Sequence, residues 1–247
     1  MSHRARTVLA ALSLAGLGGL VVWAVTQLLP FGTPAGHADA VTRALVHERH
    51  VANTVNGVTY DLRALDTLGE ELILFLAALG SAVLLRHGRG EDIEEEEADE
   101  EPGPRTTDAL RVVAAVLVGP LIVLGVYVVT HGHLSPGGGF QGGVILASGL
   151  LLVYAAGQVL ALERVEPITL VEVAESSGAL AYALVAVGGL VFAGAALFNF
   201  LPFGTTGDLL SSGTIAVLSL CVGVEVTGAI ALILTEFLDQ TLLSGGE

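Results

Sequence analysis

The chain has 247 residues, of which 53% are hydrophobic and only 14% charged, with a formal charge of −15. A soluble domain carries about 25% charged residues, so this deficit, together with apolar runs of about 20 residues, excludes an ordinary soluble domain and places the chain in the membrane class. The single cysteine, Cys221, excludes an intrachain disulfide and a cysteine-based metal site. All ten basic residues are Arg and form no basic patch, which excludes a nucleic-acid surface.

The first predicted span is Thr7–Leu29, preceded by His3, Arg4 and Arg6. Its apolar core exceeds the ~7–15 residues of a signal-peptide core, so it reads as a retained helix. Pro30–Leu65 is polar and mixed in charge. Within it, His47-Glu48-Arg49-His50 places two His one helical turn apart, but no third ligand follows at zinc-site spacing, so the stretch reads as a solvated or interfacial helix. Val51–Leu62 reads as a short interfacial segment.

Asp66-Thr67-Leu68-Gly69-Glu70-Glu71 opens the second span, which runs to Leu85. Thr67 and Glu70 have capping-box spacing. Asp66 and Glu70 also qualify as the lining of an ion entrance at the positive end of the helix dipole. Arg86–Thr107 follows. Nine acidic residues lie between Glu91 and Glu101, Pro102 and Pro104 come next, and no apolar face is present. Like-charge repulsion predicts a disordered tether over 90–107.

Leu110–Val129 is the third span, with Gly119-Pro120 as a kink or close-packing point. The loop His131-Gly132-His133-Leu134-Ser135-Pro136-Gly137-Gly138-Gly139-Phe140-Gln141-Gly142-Gly143 joins it to the fourth span, Gly143–Leu162. The glycines permit left-handed backbone and close approach, and they predict a fourth helix that begins tightly against its neighbours. His131 and His133 are candidate proton acceptors, since histidine titrates near pH ~6.5; hydrogen bonding within a compact loop is the favoured alternative. Ile168–Glu175 reads as interfacial. Ser177–Phe200 is the fifth span, with Ala179, Ala183, Ala186, Gly189, Ala193 and Gly194 as small contact residues. Gly213–Leu238 is the sixth. Leu29-Pro30-Phe31-Gly32-Thr33 recurs as Leu201-Pro202-Phe203-Gly204-Thr205, each copy following an outward span.

The predicted fold is therefore an all-α integral membrane protein with about six transmembrane helices. With both termini cytoplasmic, seven Arg lie inside (4, 6, 86, 89, 105, 111, 164) and three outside (43, 49, 63), in agreement with the positive-inside rule. The expected location is the plasma membrane.

Glu225 is the ionisable residue at membrane depth. It lies twelve residues after Gly213, roughly 18 Å into a layer about 30 Å thick. A carboxylate there costs ~2.5–3.5 kcal/mol or more to insert, so it must face protein or water. Cys221, Gly228 and Ala229, at i−4, i+3 and i+4, are small and leave room for a partner helix. The position suits a proton relay or a sodium site; the structural alternative is a neutral Glu hydrogen-bonded across helices.

Residues from about Arg111 to Leu243 resemble the MnhB subunit of the Mrp/Mnh-type multisubunit cation/proton antiporter. The resemblance rests on Thr130-His131-Gly132-His133, on Ser135-Pro136 with Gly137, Gly138, Gly139, Phe140, Gln141, Gly142 and Gly143, and on Leu209–Thr214 with Val222–Val226. Val55–Glu70 is similar to the C-terminal part of the family's large MnhA subunit. The implied organisation is a two-helix module over 1–89, the acidic tether over 90–107 and a four-helix MnhB-like domain over 108–247. The resemblance implies a non-autonomous subunit of an antiporter exchanging Na⁺ for H⁺, partnered by large antiporter-like and small membrane subunits in the lipid bilayer, without cofactor or metal. Those large subunits use intramembrane Lys, and this chain has none. The alternatives are a membrane subunit of a redox-driven ion pump and a purely structural scaffold.

Overall fold

The computed structural model describes residues 3–28, 36–85, 107–156 and 168–244. The predicted acidic tether, the first Leu-Pro-Phe-Gly-Thr copy and the end of the predicted fourth span lie outside the described residues, apart from Thr107. Every described element is helical. We number them α1 (His3–Thr26), α2 (Gly36–Glu48), α3 (Thr54–Gly57), α4 (Ala64–Leu85), α5 (Asp108–Thr130), α6 (Gly139–Ala155), α7 (Ile168–Ala193) and α8 (Thr214–Ser244), with a π-helical turn, Val58–Leu62, between α3 and α4.

The chain divides into two compact units, Met1–Val41 and Thr42–Glu247. The first contains α1, whose residues from Ala11 to Thr26 are exposed. The second contains everything discussed below.

Among the described residues, four helices are long and apolar enough to cross a membrane: α4, α5, Val171–Ala193 of α7 and Thr214–Phe237 of α8. Two shorter apolar helices, Ala11–Thr26 and Gly139–Val153, fall on the predicted first and fourth spans. The span of α8 is 61% buried while the other three are 17% buried, so α8 is the axis of the unit, with α4, α6 and α7 packed along it. The remaining faces of α4, α5 and α7 are apolar and exposed, as expected for surfaces that meet lipid or other subunits.

Local chemistry sets the helix ends. The Thr107 hydroxyl caps α5 by accepting from the Leu110 amide at 3.3 Å. The α8 terminus is capped from a distance: Asn199 accepts from the Thr214 amide at 2.8 Å and donates to Ser212 O at 3.0 Å. Helix α7 differs from expectation. Ile168–Glu175 does not form a separate interfacial stretch but continues unbroken into the span, because no Gly or Pro interrupts it before Gly178. The capping box at Thr67 does not form either. Helix α4 begins three residues earlier, at Ala64, and Thr67 is buried with its hydroxyl donating to Thr59 O at 2.8 Å.

Two apolar clusters follow one another along α8. The first joins Tyr60, Ala64 and Tyr182 to Ile215, Leu218, Val222 and Val226. The second joins Ala78, Ala82 and Val171 to Ala229 and Leu232. Helices α4 and α8 thus run in the same direction, and α7 runs against them.

Candidate functional site

The glycine motif supplies close approach. A methyl group on Gly139 would lie 2.5 Å from Ser219 O of α8, and one on Gly143 would lie 2.8 Å from Cβ of Val226. These positions are one helical turn apart, so α6 rests on α8 through bare backbone. Gly142, on the adjoining face, meets Val129 and Gly125 of α5 in the same way. Phe140 is half-buried against the first apolar cluster and Gln141 is exposed. Gly137 and Gly138 have φ of 137° and 151°, values closed to most side chains, and they turn the loop under Asn56.

Three loops interlock above this end of the bundle. The amides of Ala52 and Asn53 both donate to His133 O, at 3.1 and 3.0 Å. The Asn53 side chain donates to Gly132 O at 2.7 Å and Ser135 O at 2.9 Å. Ser212 donates to His50 O at 2.9 Å, and the His50 ring contacts Gly204 O at 2.6 Å. Arg49 pairs with Asp61 at 3.0 Å, its guanidinium lying over Phe198 and Phe203. The stretch predicted to be a solvated helix around Arg49 and His50 is therefore a clamp. Its partners, Asp61 and the second Leu-Pro-Phe-Gly-Thr turn, lie up to about 150 residues away, beyond the reach of local pattern.

The two loop histidines differ. His131 stacks on Tyr127 at 4.2 Å, with Nδ1 near Thr130 Oγ1 and Tyr127 O. His133 is completely buried beside the backbone of Asp208 and Leu209, and neither ring nitrogen has a hydrogen-bond partner of good geometry. Burial pushes its pKa down, against a smaller upward pull from those backbone groups.

Below the cap lies a file of buried polar groups. The Tyr60 hydroxyl sits beside Ser219 of α8 and the Gly139 backbone, with Glu71 nearby. Burial, reinforced by Glu71, pushes this phenol far up, so it stays neutral. Glu71 of α4 and Glu225 of α8 are next to each other, with exposures of 1% and 0%. The two carboxyls are within hydrogen-bonding reach of each other, and none of their four oxygens bonds to any other group. Glu175 of α7, 4% exposed and with Oε1 unpartnered, is the next carboxyl along. Tyr182 lies beside Glu71, its hydroxyl donating to Ala64 O at 2.9 Å.

Glycines bring α7 this close. A methyl group on Gly178 would lie 2.6 Å from Cβ and N of Glu225, and one on Gly228 would lie 2.5 Å from N of Glu175. On α4, α7 and α8 alike, the carboxyl lies where the first apolar cluster gives way to the second. Two facing carboxyls in such surroundings cannot both be ionised without a partner, because the desolvation of each is several kcal/mol. The pair therefore holds a proton or a cation.

The sequence-predicted residues are only partly brought together. Glu225 lies at the centre of this file. Asp66 is exposed and paired with Arg63 at 2.6 Å, and Glu70 is exposed, turned about 100° around α4 from the buried Glu71. His133 belongs to the cap, and His131 lies at its half-exposed edge. Sequence reasoning missed Glu71, Glu175, Tyr60 and Tyr182. A signal for Glu71 existed: Ala64, Thr67, Glu71, Ala78 and Ala82 recur at helical spacing and are the buried stripe of α4.

A family model describing a domain related to the MnhB subunit of Na⁺/H⁺ antiporters matches residues 109–232. A putative antiporter subunit mnhB2 of Staphylococcus haemolyticus is 32% identical over 141 residues, covering 56% of this chain and 94% of that protein. Among solved structures, a chain of the membrane-bound sulfane sulfur reductase, an archaeal respiratory membrane complex, matches with a TM-score of 0.72 and 27% identity, covering 94% of this chain and 98% of its own. The Mrp complex from Dietzia sp. DQ12-45-1b matches with a TM-score of 0.70 over 96% of this chain and 26% of the matched chain, at 22% identity, a likeness of fold.

Proposed function

The chain belongs to the family of domains related to the MnhB subunit of Na⁺/H⁺ antiporters, and on that premise we propose that it is a non-autonomous, multi-pass plasma-membrane subunit of a multisubunit monovalent cation (Na⁺)/proton antiporter. It is a transporter component rather than an enzyme. Its partners are the other membrane subunits of the complex, which cover the exposed apolar faces of α4, α5 and α7. Helices α1 and α6 complete six crossings with both termini cytoplasmic. The 1–89 module is the MnhA-like portion, joined through 90–107 to the MnhB-like domain.

The ion-handling site is the Glu71–Glu225 pair. The observation that carries this reading is two carboxyls buried against each other between apolar layers and bonded to no other group, since membrane-depth carboxylates mark ion and proton paths. Glu225→Gln in the assembled complex, reconstituted into vesicles, should reduce Na⁺-driven proton flux at least ten-fold while all subunits still copurify. Unchanged flux would reduce the chain to a scaffold.

A second reading is favoured by the 27% identical chain of a respiratory membrane complex: the same fold serving a redox-driven ion pump. The purified complex separates the two. Flavin or iron–sulfur absorbance in copurifying subunits selects the redox pump; large antiporter-like subunits without them select the antiporter.

A further inference from the structure

We propose that the buried file in this chain is a proton route, and that Glu175 is its second carrier, taking a proton from Glu225 and releasing it through Glu172. This deepens the reading of the Glu71–Glu225 pair and rests on it. Three of the four buried carboxyls among the described residues are arranged in sequence rather than convergently; the fourth, Glu236, lies about three turns beyond Glu225 on α8. Glu71 of α4 faces Glu225 of α8. Glu225 and Glu175 lie on facing stripes of α8 and α7, whose backbones meet at Gly178 and Gly228 on either side of them. Glu172, one turn before Glu175 on the same face of α7, is half-exposed towards the end of the bundle away from the cap. On the capped side, the Tyr60 hydroxyl has Ser219 and Glu71 as neighbours, and a phenol can accept a proton and pass one on in the same movement.

Four observations favour a proton over a dehydrated cation. Glu71 and Glu225 bond to no group but each other, the arrangement of two carboxyls sharing a proton, and Glu175 Oε1 has no partner. Among the described residues no three His, Cys, Asp or Glu side chains converge to hold a metal ion, whereas a bare cation needs several oxygens around one point. The other titratable groups acting on the file are Glu70 of α4, Tyr60 of the π-helical turn, Tyr182 and Glu172 of α7 and Cys221 of α8, and no described Arg lies among them. The contact of α7 with α8 at Gly178 leaves backbone and Cβ, not a cage, beside Glu225. A carboxyl file needs none of these missing parts to carry protons.

The step balances as a hand-over. The acid O–H proton of Glu71 is transferred to the Glu225 carboxylate, the Glu225 proton then goes to the Glu175 carboxylate, and Glu175 gives its proton to the Glu172 carboxylate, which releases it to water. Tyr60 passes its hydroxyl proton to the Glu71 carboxylate while its oxygen takes one from water entering on the capped side. One proton enters and one leaves, with no other reactant.

The test uses the whole complex in vesicles, with proton flux read by an entrapped pH dye and cation movement read as exchange of radiolabelled Na⁺ at equal pH on both sides, which needs no net proton transfer. Glu175→Gln should lower Na⁺-driven proton flux at least ten-fold and leave Na⁺/Na⁺ exchange within two-fold. Glu175→Asp, which keeps the carboxyl but shortens its reach, should lower proton flux several-fold and serves if the Gln variant does not assemble. Normal proton flux in both variants, with Glu225→Gln inactive, overturns the Glu175 route and leaves the carboxyl pair standing. Loss of Na⁺/Na⁺ exchange together with proton flux overturns the assignment to protons. Normal flux in Glu225→Gln as well overturns both readings.

Discussion

Gly178→Ala tests how closely helix packing controls the site. The added methyl would lie 2.6 Å from Cβ and N of Glu225 and 2.8 Å from Cys221 O. All three belong to the α8 backbone or its first side-chain atom, so none can swing aside. Restoring ordinary contact requires α7 and α8 to part by about 1 Å at the level of the carboxyls. Overpacking of this kind costs ~1–3 kcal/mol, partly offset by the ~0.5–1 kcal/mol that alanine contributes over glycine within a helix. Cys221, buried at this crossing and the only cysteine in the chain, is a native reporter. In the solubilised complex a small maleimide reaches it only when the helices open, so its labelling rate follows the opening equilibrium. A net loss of about 1–2 kcal/mol corresponds to roughly 5- to 30-fold faster labelling, read by mass spectrometry of the Cys221 peptide. Gly149→Ala is the control, because its methyl would find Leu121 Cβ at an unstrained 4.0 Å; it should label at the wild-type rate or slower. Equal rates in wild type, Gly178→Ala and Gly149→Ala would refute the reasoning.

Two further outcomes concern the cap. Arg49→Ala strips the partner from Asp61, whose side chain is only 7% exposed. Breaking a buried pair costs ~3–5 kcal/mol, and the 29% exposure of Arg49 lowers the expectation to about 2–3 kcal/mol. Proteolysis within Leu197–Gly213 should accelerate accordingly, and adding Asp61→Asn should recover at least half of the loss. For His133 the direction is set by burial, which holds its folded pKa below the unfolded value of ~6.5. The unfolded chain therefore binds more protons between those two values. The stability contributed by the neutral ring is fully present above about pH 6.5 and is lost as pH falls towards the folded pKa. The amides of Ala52 and Asn53, both bonded to His133 O, should exchange faster at about pH 5.5 than at about pH 7.5 once intrinsic rates are removed. His133→Leu should flatten that difference, and an unaltered pH dependence in this variant would place the sensor elsewhere.

The helices were legible because apolar length is a one-dimensional property, and the glycine motif because six glycines in thirteen residues have few uses besides close approach. The depth of Glu225 was legible by counting from Gly213. What it faces was not, because that depends on which turn of α4 and α7 arrives at the same level. Glu70 and Glu71 differ by one position, a rotation of about 100° on a helix, and that rotation separates an exposed acid from a buried one. The capping-box pattern favoured Glu70, while the small residues Ala64, Ala78 and Ala82 marked the buried stripe and placed Glu71 on it. Glu175 was hidden for a related reason. With Glu172 beside it and Pro167 before it, the start of α7 has the composition of a membrane surface. Only contact with Gly228, more than fifty residues further on, takes its backbone into the bundle. A bare-backbone position on one helix opposite a lone carboxyl on another is thus the pattern to seek when a membrane sequence offers a single acid at depth. Here it occurs twice, at Gly178 with Glu225 and at Gly228 with Glu175, and this reciprocity is what turns two isolated acids into neighbours.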